Sequence, residues 1–426
     1  PRDDSFYLNF DINILSDGFF YEDFFPNEFR IDPQPDNNIE LVKRFNYTET
    51  SLIGRLDLNE FFQSDTRLPE IAADTVRMPV FGGRVNYEGT SSFGILEEIP
   101  SEGIGARGSD IEDSLGFNRF DTYHQFSRAF QVFGFLNIVP RVGVRYTNYS
   151  SASGDTVGFD RVLGHVGFDS SFKVSRDYDS IQSRAFGIDG VRHIVQPYLR
   201  YSLIEGDDIP EDFNGIDDFV ASTRPRPIDP NQFTAIDSLA SWNIVRLGVF
   251  NRILTKRNRG SIEWLSFNTY FDTFLEDPEF DRDFSNLYQD IAWRPLPWLR
   301  FNLDSQFPVF GGDDSFTEIN TRMTYMPVRS TEISIGHRFL DSHPFLENSN
   351  QVTIGYFQRI HDNWGVSIRH RWELDDSTLE TQQYSIHRDL TSWSAALGAV
   401  VRDNRGVNDY GLLFTMTLKE FPLFNI

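Results

Sequence analysis

From Leu412 to Leu418 every second residue is apolar (Leu412, Phe414, Met416, Leu418), while Leu413, Thr415, Thr417 and Lys419 take the intervening places. A period of two belongs to a strand, whose successive side chains point to opposite faces. The design recurs upstream. In 6–15, Leu8, Phe10, Ile12 and Ile14 alternate with Asn9, Asp11 and Asn13; in 136–147, Leu136, Ile138, Pro140, Val142, Val144 and Tyr146 oppose Asn137, Val139, Arg141, Gly143, Arg145 and Thr147. Pro140 removes a backbone donor and marks a bulge or weakly paired site. Between turn clusters the alternation yields about twenty strands, many of ten residues or more, as a tilted membrane strand needs. A closed ring of them has lipid outside and water inside. A soluble sandwich or propeller also alternates, but with its apolar face buried and its polar face outside.

The connections alternate in length. Short ones are expected near Thr48, Gly89, Ala129, Asn258, Pro295, Val328, Asp362 and Thr391, and long ones around Pro33, Ser64, Ile104, Ala152, Gly215, Pro278, Gly312, Pro344 and Asn404. Bacterial outer-membrane barrels join strands by short periplasmic turns and long extracellular loops. That rule sends the first strand outward and leaves the C-terminus in the periplasm. The connection 176–188 is long where a short one is due.

Composition fits this reading. No run of eighteen apolar residues is present, which argues against helical spans. Aromatic residues make up 15% of the chain, including 41 Phe, a supply suited to interfacial girdles. With 39 basic against 63 acidic residues and a net charge of -24, nucleic acid is a poor partner. The acids Asp207, Asp208, Glu211, Asp212, Asp217 and Asp218 fall between strands and read as a solvated loop rather than a divalent-cation site. There is no cysteine, so disulfide and thiol chemistry are out. The chain opens on Pro1-Arg2-Asp3-Asp4, without Met or signal peptide, which reads as an excerpt of a longer precursor.

Asp409, Gly411, Phe414 and Met416, continued by Leu418, resemble the C-terminal signal by which outer-membrane barrels are handed to their assembly machinery. Further motifs occur in order: Arg67-Leu-Pro-Glu-Ile71, taken as a loop, Asn118-Arg-Phe-Asp121, Val139-Pro-Arg-Val-Gly-Val-Arg-Tyr-Thr-Asn-Tyr149 and Arg192-His-Ile-Val-Gln-Pro-Tyr-Leu-Arg-Tyr201. Together with the final third they resemble the LptD family, which assembles lipopolysaccharide at the outer membrane. The resemblance implies a transmembrane barrel of about 26 strands, with residues 1–426 as one barrel domain lacking the family's N-terminal jellyroll and first strands. It implies no enzyme and no cofactor. Its implied partners are lipopolysaccharide, a lipoprotein plug of the LptE kind, a periplasmic transport bridge and the barrel-assembly machinery. Lipid would leave through a lateral seam beside the closing strand, here Asp409, Gly411, Leu412, Phe414, Met416 and Leu418. Where the family commonly carries a cysteine before a Trp, this chain has Ser392-Trp393.

Chemistry is sparse. The eight His are scattered, with no His-Glu-x-x-His, no Gly-x-Ser-x-Gly and no metal-ligand spacing. Inward-facing Arg141, Arg145, Arg200, Arg246, Arg252, Arg369 and Arg371 are candidates for phosphate contact. The competing reading pairs them with inward acids such as Asp169, Asp272, Asp304 and Glu373. The function expected is passage of lipopolysaccharide through lumen and seam; a porin or nutrient transporter, or an outer-membrane lipid hydrolase, stand as alternatives.

Overall fold

The computed structural model describes residues 5–21, 34–103, 106, 113–150, 158–219, 222–257, 260–278, 280–310, 316–404 and 407–419. Among them are twenty-two strands. They are β1 Phe6–Asp11, β2 Asn38–Arg44, β3 Thr48–Arg55, β4 Ser64–Val80, β5 Val85–Ile99, β6 Leu115–Ser127, β7 Phe130–Val132 and β8 Leu136–Tyr149. Next come β9 Phe159–Ser171, β10 Val174–Ser183, β11 Ile188–Gly206, β12 Trp242–Arg257, β13 Gly260–Glu276, β14 Leu287–Leu296 and β15 Leu299–Phe307. The last are β16 Thr317–Val328, β17 Thr331–Asp341, β18 Ser349–His361, β19 Trp364–Glu373, β20 Thr378–Asp389, β21 Trp393–Asn404 and β22 Val407–Leu418. No helix among the described residues is long and apolar enough to cross a membrane.

The chain divides into two compact units, 1–170 with 200–245 and 274–283, and 171–199 with 246–273 and 284–426. In the first, strands up to β6 pair antiparallel with their sequence neighbours, and β6 continues onto β8. In the second, the ladder runs unbroken from β13 to β22. β22 pairs with β21 through twelve residues, from Trp393 opposite Leu418 to Asn404 opposite Val407.

The faces of the strands are inverted relative to a soluble sheet. Along β6, Arg119, Asp121, Tyr123, Gln125 and Ser127 are buried, while Phe120 and Phe126 between them are exposed. On β8 and β9, Arg145, Thr147, Arg161 and His165 are buried while Val142, Val144, Val162 and Val166 are exposed, Val142 by 54%. Leu412 and Phe414 on β22 are exposed by 76% and 59%. Apolar side chains turned outward around a polar interior are what a hydrocarbon surrounding selects, and water would select the reverse.

Prolines account for several of the places where the ladders break. A strand proline offers no N–H to its neighbour. β6 and β7 lie along the same partner, β8, and the gap between them falls opposite Val139 and Pro140. Likewise β9 and β10 share β11, and the gap falls near Pro197, whose carbonyl accepts from Phe172 N at 3.4 Å. The register shifts at Arg67/Glu70, Trp293/Leu296 and Tyr325/Val328 enclose Pro69, Pro295 and Pro327. Joining β6 to β7 and β9 to β10 leaves twenty continuous segments among the described residues.

Several expected boundaries move. Gly89, expected at a short connection, lies within β5, and the β4–β5 turn comes at Phe81-Gly82-Gly83-Arg84. The motif Arg67 to Ile71 sits in β4, not in a loop. Ala129 falls in the proline gap, and the turn comes at Phe133-Gly134-Phe135, where Phe133 and Gly134 take φ of +53° and +74°. Two successive left-handed residues match the twist of the flanking strands. The connection 176–188 is short after all, because β10 carries the strand on to Ser183. Around Asn404, read as a long loop, β21 and β22 stay paired as far as Asn404 opposite Val407, and residues 405–406 lie outside the described residues.

If the exposed face of β8 meets hydrocarbon, Val144→Arg should cost about 2–4 kcal/mol near the midplane. Reversible unfolding from lipid vesicles measures this; a change within about 0.5 kcal/mol, as for a water-facing position, would contradict the assignment.

Candidate functional site

The most heavily organised part of the first unit is where residues 207–219 and 222–241, between β11 and β12, fold back onto the polar strand face. Apolar side chains of this segment supply part of the driving force. Ile228, Phe233 and Leu239 pack with Leu163, Ile204, Trp242, Ile244 and Phe274. Phe213 and Ile216 pack against Leu96, Leu115, Phe117 and Tyr149. Arg226 lies over the rings of Phe219, Phe233 and Trp242, at 5.0 to 5.5 Å from their centroids. Three aromatic faces around one guanidinium give cation–π attraction in a site that excludes water.

Arginines on four strands latch the segment. Arg119 on β6 donates Nη1 to Asp237 at 2.8 Å and Nη2 to Asp217 at 2.5 Å. Arg67 on β4 donates to the other oxygen of Asp217. Arg141 on β8 joins Asp229 at 2.6 Å and Asp169 at 2.5 Å, and Arg161 on β9 donates to the Ile236 carbonyl at 3.0 Å. The Asp237 carboxylate is fully coordinated, accepting from Arg119 and Tyr149 at one oxygen and from the backbone N–H of Ile216 and Asp217 at the other. Burial pushes its pKa up, but the Arg119 charge, the Asp217 amide and the Arg119 and Tyr149 hydrogen bonds outweigh that and hold it below the usual carboxylate range.

Beneath the latch the strands carry their own polar belt. Arg145 grips Asp121 with two bonds of 2.8 and 2.9 Å, and Thr147 adds a third. Tyr123 reaches across β8 to His165 at 3.0 Å, passing over Gly143, where a Cβ would stand 2.8 Å from the tyrosine oxygen. His165 meets Ser202 at 3.3 Å, and Ser202 accepts from Trp242 at 2.9 Å. This Ser–His pair is buried, and the imidazole's other nitrogen faces a tyrosine rather than a carboxylate, so it is built as packing and not as a nucleophile. A cavity of about 480 Å³ lies where belt and latch meet, lined by Arg67, Arg119, Arg145, Asp121, Asp217 and Asn231 among others.

The arginines expected to face inward fall into different settings. Arg141 belongs to the latch, Arg145 is held within the belt, and Arg200 is half exposed, 4.0 Å from Asp169. In the second unit Arg246 forms a two-bond pair with Asp272 at 2.7 and 2.8 Å. There Arg252 sits over the Phe250 ring, Arg369 is exposed, and Arg371 lies on the same β19 two residues on. Asp217, read as part of a solvated loop, is instead gripped by two arginines. Sequence reasoning also missed Arg67, Arg119, Arg161 and Asp237. The available signal was the apolar content of 207–241, since a solvated loop has no use for Phe213, Ile216, Phe219, Ile228, Phe233 and Leu239.

A family model described as LptD, LPS transport system D, matches residues 2–372. No curated protein matches the chain significantly. Among solved structures, a mutant ferric enterobactin receptor (PfeA) from Pseudomonas aeruginosa aligns at a TM-score of 0.40 and 6% identity, covering 89% of this chain and 69% of that one. The FrpB iron transporter from Neisseria meningitidis aligns at 0.38 and 10%, covering 92% and 73%, and the copper transporter OprC at 0.36 and 9%, covering 89% and 69%.

Removing Arg119 while leaving its two acids buried should cost about 3–5 kcal/mol, and Arg119→Leu with Asp217→Asn and Asp237→Asn should recover part of it. Because folding lowers the Asp237 pKa, its stabilisation is complete above the unfolded value of about 4 and is lost as pH falls through the lower folded value. Chemical denaturation between pH 7 and pH 2 should therefore show a loss of stability in wild type that is smaller in Asp237→Asn; equal acid sensitivity would contradict the latch.

Proposed function

The chain belongs to the LptD family, and from that premise we propose that residues 1–426 form one barrel domain through which lipopolysaccharide is assembled into the outer leaflet. Membership makes it a component of lipopolysaccharide transport at the outer membrane, and its fold class is an all-β, antiparallel transmembrane barrel. The observation that carries the finer reading is the inverted sheet, buried Arg, Asp, Tyr and His on one face and exposed Val, Leu and Phe on the other. An amphipathic substrate needs both environments at once. The phosphorylated sugars follow the polar lumen while the acyl chains reach lipid without crossing water.

The exit we assign to the closing strand. Within its unit, among the described residues, β22 is hydrogen-bonded along β21, and its other edge borders the proposed seam. Asp409, Gly411, Leu412, Phe414, Met416 and Leu418 would serve as seam and assembly signal. A seam opens when ladder bonds on one edge of a strand yield while those on the other hold, and twelve paired residues supply the holding side. Arg141, Arg145, Arg200, Arg246, Arg369 and Arg371 are proposed lumen contacts. Arg141 and Arg145 are carboxylate-paired, so a substrate phosphate would act by exchange, taking the place of a carboxylate at a guanidinium that can bond either in the same forked geometry.

In this reading the long loops are extracellular and the C-terminus periplasmic. Lipopolysaccharide arrives from a jellyroll and the periplasmic bridge, an LptE-like lipoprotein plugs the lumen, and the barrel-assembly machinery recognises β22. The porin alternative shares the fold and differs in what passes.

A photo-reactive amino acid placed at Arg145 and at Leu413 of the full-length protein in cells should yield lipopolysaccharide adducts at both sites. Ion conductance in planar bilayers with no adduct at either would favour the porin reading. Deleting Leu412 to Leu418 should abolish heat-modifiable migration on gels; normal migration would remove β22 from its assembly role.

A further inference from the structure

We propose that the hairpin-turn end of strands β14 to β22 is a docking surface for the headgroups of an anionic phospholipid leaflet. The antiparallel register places the turns at 297–298, 329–330, 362–363 and 390–392 at one end of the second unit. The connections 342–348 and 374–377 and the paired residues Asn404 and Val407 lie at the other. Charge is divided between these ends against the acidic trend of the chain. At the turn end stand Arg294, Arg300, Arg329, Arg359, Arg388 and Lys419, with only Glu332, Asp362 and Asp389 as acids among the described residues there, Asp389 being paired to Lys419 at 2.5 Å. The opposite end has Asp341, Glu347, Glu373, Asp375, Asp376, Glu380, Asp403 and Asp409 around Arg371 and Arg402.

Four of these cations, Arg300, Arg329, Arg359 and Arg388, are interleaved with apolar surface. Trp298 is exposed two residues before Arg300, Val328 precedes Arg329, and Ile360, 67% exposed, follows Arg359. The Arg388 guanidinium lies 4.4 Å over the Trp364 ring, itself exposed. Indole rings at the level where oily and aqueous phases meet, with guanidinium groups beside them, form an interfacial anchor. Basic residues just beyond the hydrocarbon edge attract anionic lipid. Free phosphate would engage the arginines but leave Trp298, Val328 and Ile360 in water, which is why a lipid leaflet is the occupant the surface fits. The inference rests on the barrel reading of the strands and not on what the barrel transports.

The test uses the full-length protein in nanodiscs of equal phosphatidylcholine and phosphatidylglycerol, with retained lipids counted by native mass spectrometry. Wild type should retain phosphatidylglycerol in excess. The variant R300Q/R329Q/R359Q should lose that preference, by roughly fivefold for each charge that contacts a headgroup, while D375N/D376N at the opposite end keeps it. Equal retention of both lipids by wild type, an unchanged preference in the triple variant, or displacement of phosphatidylglycerol by inorganic phosphate alone would overturn the proposal. Heat-modifiable migration separates the two readings: if it persists while lipid preference fails, the barrel stands and the docking surface does not. Wild type that fails to insert would overturn both.

Discussion

Everything in this chain follows from the cost of an unpaired backbone amide in hydrocarbon. A strand that turns Val142, Val144 or Leu412 outward into lipid has no water on that side to satisfy its N–H and C=O groups, so every strand must have neighbours, and the ladder must be long. The twelve-residue register of β21 with β22 and the thirteen of β5 with β6 meet that demand. Proline is the one residue that cannot. The chain places Pro69, Pro140, Pro197, Pro295 and Pro327 where the register shifts or the strand is restarted on the same partner, confining the lost donor to a bulge.

This constraint is also why so much of the fold was legible. Two-residue periodicity encodes which face meets lipid, and along β6, β8 and β22 the encoded face is the exposed one. The errors were errors of punctuation. Phe81-Gly82-Gly83-Arg84 is the turn its paired glycines suggest, whereas Gly89, which looks like a turn, is a bare backbone under the Tyr87 and His124 side chains. Arg67 to Ile71 reads as a loop because of its proline and charges, yet the charges are satisfied inside the sheet and the proline only shifts the register. Local chemistry cannot distinguish a turn from a bulge when the distinction is made by a neighbouring strand.

The latch was hidden for a different reason. An ion pair between Arg119 and Asp237 joins residues 118 positions apart, and nothing in either neighbourhood names the other. Composition could have raised the question, since acids mixed with large apolar residues mark a segment that is buried and pinned. It could not have said which arginines do the pinning. The arginine on each of the four strands β4, β6, β8 and β9 is an inward residue like many others until the segment between β11 and β12 arrives above it.

A latch made of ion pairs differs physically from one made of packing. The hydrophobic contacts of Phe233 and Leu239 fix where the segment lies, because they depend on area and shape. The Arg67, Arg119 and Arg141 pairs fix how firmly it is held, and their strength depends on what else can reach them, because a buried pair that gains a competing anion or water loses most of its advantage. Arg119 shared between Asp217 and Asp237 leaves the cluster with an excess of acid, balanced in part by Arg67. On the proposed function, the phosphates of the cargo would compete for these bonds with their own charge. A purely apolar plug would offer such cargo nothing to exchange, and an unpaired basic wall would bind it too firmly to release.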